Sequence, residues 1–194
     1  MRSLLLKISR SLFSWPPQAS PPAVKQALVA EFAGQVSNLI ETGTFEGDMI
    51  EAQREKYARI VTIEVADGLY AAAEKRFAPF PHISVLHGDS SEVLPKAFGL
   101  CQGAAVFWLD GHYSGGVTAG AEKEPPILRE LAMIADRGES GDVILIDDAR
   151  LFGWRQGYPR IGTVQKFARQ HWPNHEFRIE SDVICIAPVA STRG

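Results

Sequence analysis

The chain has 194 residues, of which 45% are hydrophobic and 22% charged, and its formal net charge is −3. That length suits one well-cored domain and is short for two, and the composition is ordinary for a globular protein. A slightly acidic chain lacks the basic footprint of a nucleic-acid binder, so no nucleic-acid partner is expected.

Residues 1–15 carry Leu4, Leu5, Leu6, Ile8, Leu12, Phe13 and Trp15, with Arg2, Lys7 and Arg10 between them. The stretch is too short and too interrupted to span a bilayer, and it lacks a small-residue cleavage site. A helix packing on the domain or on a second copy of the chain is expected, with peripheral contact to a membrane surface as the alternative. Prolines from Pro16 to Pro22 mark a linker, which divides residues 1–22 from a single domain over 23–194. Ala23 to Phe32 resumes a helical pattern just before the first strand, placed to cover the ligand corner. Cys101 and Cys185 lie far apart in apolar segments. They suit reduced, buried thiols in a cytoplasmic protein better than a disulfide framework or a metal cluster.

From Val36 onward, strand and helix patterns alternate. Val36 to Ile40 predicts a buried strand, followed by Glu41, by Gly43 and Gly47 four residues apart, and by a helical pattern from Asp48 through Tyr57. Glycines there let the chain turn sharply and let a ligand approach where a Cβ would intrude. Further strands are predicted at Ile60–Glu64, Ile83–Asp89, Ala104–Asp110 and Asp142–Asp148, with helices at Leu69–Phe77, Ser91–Phe98, Ile127–Arg137 and Ile161–His171. Near-continuous apolar strands separated by helices imply a doubly wound α/β fold with a mostly parallel sheet covered on both faces. Glu176–Ile179 and Val183–Ala187 leave no room for a helix between them and must form an antiparallel hairpin, which brings the sheet to seven strands.

Ligands of open α/β sheets bind beyond the carboxyl ends of the strands. An acid stands at each such end: Glu41, Glu64, Asp89, Asp110 and the pair Asp147/Asp148. Any one of them alone reads equally well as a helix cap or a turn residue. Glu64 follows Gly47 by 17 residues, the place from which a carboxylate accepts both hydrogen bonds of a ribose diol. Gly88-Asp89-Ser90 would lie one strand further along, near an adenine ring. Glu41, beside the glycine turn, suits a ligand with a cationic group and disfavours a bare pyrophosphate.

These residues resemble the class I S-adenosylmethionine-dependent methyltransferases, a Rossmann-like superfamily. The resemblance rests on Glu41-Thr42-Gly43-Thr44-Phe45-Glu46-Gly47, Glu64, Gly88-Asp89-Ser90 and the closing hairpin, over about Val36 to Pro188. It implies that S-adenosylmethionine is held by Glu41, Thr42, Gly43, Gly47, Glu64, Asp89, Ser90 and Asp110. The first turn has two glycines where three are frequent in the superfamily. A short-chain dehydrogenase has a similar turn, but it needs a tyrosine with a lysine four residues on, and Tyr57, Tyr70, Tyr113 and Tyr158 all lack one.

The long glycine-rich stretch after the fourth strand faces the methyl acceptor in this superfamily. Asp110 and His112 are therefore the candidate catalytic residues, His112 having an ordinary pKa of about 6.5 that suits a general base. Asp110, Asp147 and Asp148 offer oxygen ligands for a divalent cation such as magnesium. The alternative is that Asp147 caps a turn while Asp148 pairs with Arg150 or Arg155. Tyr113, Trp154, Arg155 and Tyr158 are candidates for binding a small-molecule acceptor, with Arg155 or Arg160 holding an anionic group; the alternative is aromatic packing over the sheet edge. The expected activity is O-methylation of a small molecule or sugar-like hydroxyl. The competing reading is a catalytically inactive S-adenosylmethionine-binding module or partner subunit. A base methyltransferase is disfavoured by the charge, and by Asp110-Gly111-His112-Tyr113 standing where an Asn/Asp-Pro-Pro-Tyr/Phe signature is expected.

Overall fold

The computed structural model describes residues 18–110, 126–155 and 157–189. Helix α1 (Pro22–Ala30) starts with proline in its first turn, where a missing N–H costs nothing. Strand β1 (Asn38–Thr42), α2 (Asp48–Gln53), β2 (Arg59–Glu64), α3 (Asp67–Phe77), β3 (Ile83–His87) and α4 (Ser90–Leu100) follow. Beyond them come β4 (Ala105–Leu109), α5 (Pro126–Arg137), β5 (Val143–Ile146), α6 (Ile161–His171), β6 (His175–Glu180) and β7 (Val183–Pro188).

The seven strands form one sheet in the order β3-β2-β1-β4-β5-β7-β6. Strands β1 to β5 are parallel, and β7 runs antiparallel to both β5 and β6. Alternate residues of each strand point to opposite faces. Leu39, Val106, Trp108 and Leu145 meet Leu28 and Val29 of α1, Ile50 of α2 and Phe77 of α3 in one core. Ile40, Phe107, Leu109 and Ile144 meet Leu94 of α4, Leu131 and Ile134 of α5 and Val164 of α6 in the other. Both cysteines are buried and unpaired. No helix among the described residues is long and apolar enough to cross a membrane.

Several boundaries shift by one or a few residues from the sequence reading, and two of the shifts have a clear cause. The first strand lies two residues later than Val36–Ile40, because the ladder to β2 begins only at Asn38, opposite Arg59. Asn38 is fixed there by its side-chain amide, which donates to the carbonyls of Gln102 and Ala104 at 2.8 Å each. The helix expected through Tyr57 stops at Gln53. Tyr57 is buried all the same, and its hydroxyl donates to the Val29 carbonyl at 2.6 Å.

Candidate functional site

Parallel register brings the strand-end acids to one edge. Glu41 pairs across from Trp108, and two residues on, just past the end of β4, comes Asp110, whose N–H donates to the Thr42 carbonyl at 3.0 Å. Asp147 repeats this one strand over, donating its N–H to the Leu109 carbonyl at 3.0 Å. A cleft of about 270 Å³ opens here, lined among others by Lys25, Glu41, Gly43, Gly47, Asp110 and Asp147.

The glycine turn is tied down from several sides. The Gly43 and Thr44 N–H groups both donate to the Ile63 carbonyl, at 2.9 and 3.2 Å. Gly47 has φ +83°, and a Cβ there would lie 2.8 Å from the Phe77 ring. Glu64 accepts the Phe45 N–H on one oxygen and the Ala66 N–H on the other, each at 2.9 Å. It therefore brackets the turn with both oxygens, where the sequence suggested a free bidentate acceptor, and only the second lone pair of each oxygen is left for a diol.

Glu41 is 1% exposed and accepts the Thr62 hydroxyl at 2.5 Å. Burial holds its carboxyl well above the usual range; the Thr62 bond pulls it back, and Asp110 and Glu64 push it further up. Asp110 opens onto the cleft. Its crowded, poorly hydrated position, then the charges of Asp147 and Asp148, push it up to about 8 against the pull of Lys25 and Arg150. The Asp110 side chain is exposed at the cleft, so solvent screens its repulsion with Asp147 and Asp148 and softens the upward shift.

Asp147 and Asp148 sit in an ionic cluster. Lys25, 9% exposed, places Nζ 2.5 Å from Asp147 Oδ1 and 3.3 Å from Asp148 Oδ1. Burial alone would lower the Lys25 pKa, but Asp147 and Asp148 outweigh it and raise the value. Arg150 lies 2.6 Å from Asp148 and also pairs with Asp182 in the β6–β7 turn. Asp147 Oδ1 accepts the Asp148 N–H at 2.6 Å, so Asp147 caps its turn and Asp148 pairs with Arg150, as the alternative reading had it. Carboxylate oxygens of Asp147, Asp148 and Asp182 lie within 4.8 Å of one another, a donor set that suits a hard divalent ion. Lys25 and Arg150 already occupy it.

On the other face, Asp89 caps α4 by accepting the Ser91 N–H at 2.8 Å. Ser90 donates its hydroxyl to Glu130 of α5 at 2.5 Å. Glu130 is 1% exposed. Burial pushes its carboxyl up to about 7, against the Ser90 and Thr42 hydroxyls. The wholly buried Thr42 hydroxyl faces this carboxyl without a hydrogen bond of good geometry.

Of the acceptor candidates, Tyr158 packs edge-on against Phe152, with ring centroids 5.2 Å apart. Its hydroxyl is pushed up to about 12, first by burial and then by Asp148. Trp154 is 71% exposed, and Arg155 is exposed as well. His112 and Tyr113 lie outside the described residues, as does the segment 1–15. Lys25 and Glu130 were missed in the sequence. Glu130 had a signal, since it falls on the apolar stripe of Ile127, Leu131 and Ile134.

No family model matches the sequence, and no curated protein matches it. Solved structures do match in fold. A methyltransferase from Podospora anserina, bound to S-adenosylhomocysteine, superposes with a TM-score of 0.60 at 16% identity, over 87% of this chain and 80% of that one. A candidate O-methyltransferase from Klebsiella pneumoniae gives 0.62 at 14% identity, over 89% and 83% of the two chains. The N-methyltransferase NodS from Bradyrhizobium japonicum gives 0.58 at 15% identity, over 85% and 93%. The chain thus has the fold of the class I S-adenosylmethionine-dependent methyltransferases, as the sequence suggested.

Proposed function

We propose that this chain is an S-adenosylmethionine-dependent methyltransferase acting on a hydroxyl of a small molecule. The observation that carries the reading is the pair of acids Glu41 and Asp110, facing one cleft beside the Gly43–Gly47 turn with their carboxyls held above the usual range. Two such acids side by side are poorly stabilised alone and are relieved by a cationic ligand. S-adenosylmethionine carries an ammonium and a sulfonium, and when bound it supplies an electrophilic methyl group. The Podospora neighbour holds the demethylated product of that cofactor.

Asp110 is the residue we assign to the acceptor. An aspartate held above its ordinary pKa is, once ionised, a stronger base for a hydroxyl proton than an unperturbed one. Bound S-adenosylmethionine would supply the methyl group to the acceptor oxygen, and Asp110 would take up the hydroxyl proton. The chain's other task is alignment, which Glu41 and the glycine turn perform by fixing the cofactor's amino-acid end.

Calorimetric titration with S-adenosylmethionine and S-adenosylhomocysteine tests this. Micromolar binding, weakened by about ten- to a hundredfold in Glu64→Ala while the circular dichroism stays native, supports the cofactor assignment. Absence of binding to the folded wild-type chain refutes it. Binding without methyl transfer to any of a panel of phenols, sugars and hydroxy acids favours the inactive module.

A further inference from the structure

We propose that Lys25 is the resident cation of the Asp147–Asp148 carboxylates, taking the place that a divalent metal ion would hold and making the cleft independent of metal. Asp147 and Asp148 from the turn after β5 and Asp182 from the β6–β7 turn converge, and like charges so close are stabilised by a cation between them. Here the chain provides its own. The ammonium of Lys25 reaches in from α1 to 2.5 Å from Asp147 and 3.3 Å from Asp148, and Arg150 bridges Asp148 and Asp182.

Two arguments make this exclusive. The first is space: an ion bound to Asp147 Oδ1 would compete for the oxygen that Lys25 Nζ already contacts at 2.5 Å. A compact ammonium is a point charge with three donors, so it can serve two carboxylates in the way an ion would. The second is charge. Asp147, Asp148 and Asp182 with Lys25 and Arg150 carry one net negative charge. A divalent ion added to that group would make it net positive. With a neutral side chain at position 25, the same ion would bring it to neutrality. Removing Lys25 should therefore create a metal site that the native chain does not have.

The α1 position of this lysine also matters. Lys25 and Asp148 are 123 residues apart in sequence, so the ion pair fastens α1 across the cleft as well as neutralising its floor.

The test uses Mn²⁺ and its electron paramagnetic resonance spectrum, with the purified wild-type chain, Lys25→Met, Lys25→Arg and Lys25→Met/Asp147→Asn. The expected result is that Lys25→Met binds Mn²⁺ at least about tenfold more tightly than wild type, that the double variant loses the gain, and that Lys25→Arg stays at the wild-type level. Wild-type binding as tight as that of Lys25→Met would overturn the proposal, and so would a folded Lys25→Met that gains nothing. If Lys25→Met does not fold, wild type alone decides: Mn²⁺ bound and then lost in Asp147→Asn refutes the proposal, and an unchanged free-ion spectrum supports it. The readout needs neither cofactor nor acceptor, so it stands or falls separately from the methyltransferase reading.

Discussion

Replacing Glu130 by glutamine removes a buried proton site and leaves the shape of the core unchanged. Glu130 is 1% exposed, and its carboxyl is pushed from 4.5 up to about 7, chiefly by burial. The native state therefore holds a proton that the unfolded chain releases, so wild-type stability falls as pH rises from about 4.5 to about 7 and then levels off. One pKa unit corresponds to about 1.4 kcal/mol. With both titration curves included, the loss between about pH 5 and pH 8 comes to about 2–3 kcal/mol. Glutamine titrates in neither state and still accepts the Ser90 hydroxyl, so Glu130→Gln escapes that loss. The assay is urea unfolding of wild type and variant across this range, followed by circular dichroism. Glu41 and Asp110 contribute to the pH dependence of both chains and cancel in the difference. The variant should gain on wild type as pH rises, by about 2–3 kcal/mol in all. A difference that stays flat with pH would refute the reasoning.

Cofactor binding should release protons, because a cationic ligand favours ionised Glu41 over the protonated form that burial promotes. Titrations near pH 7 in Tris and in phosphate should give different apparent enthalpies, and equal values would count against a charged Glu41 in the complex. Gly47→Ala places a Cβ 2.8 Å from the Phe77 ring at φ +83° and should cost about 2–4 kcal/mol in thermal or urea unfolding, with loss of cofactor binding. Arg137→Met leaves Asp142, wholly buried and now 2.6 Å from Arg137, without its cation. That should cost about 3–5 kcal/mol, measured the same way, whereas Arg137→Met/Asp142→Leu should recover much of it.

The sheet was legible because its signals are local. Five apolar runs each ending in an acid, and two runs too close for a helix, fix parallel strands followed by a hairpin. The acids at the edge could be read for the same reason, since a parallel sheet necessarily carries the residues after each strand to one side. Pairings between distant segments were not legible. Nothing near Lys25 announces that it will reach Asp147, because that contact depends on where α1 crosses the cleft. Glu64 shows the same limit in reverse. Its place in the chain pointed to a ligand, but the folded turn aims the Phe45 and Ala66 N–H groups at it first.

The placement of β7 between β5 and β6 has a consequence for how the protein is made. Residues 183–188 leave the ribosome after both strands that they will separate. Until they arrive, β5 presents the open edge of a fully apolar strand, and β6 has no strand to pair with. Such an edge is a template for pairing with other chains. The nascent domain is therefore most exposed to misassembly between the emergence of β6 and that of β7, when the rest of its sheet is already made, and a chaperone that shields Val143–Ile146 during that interval would raise the yield of native chains.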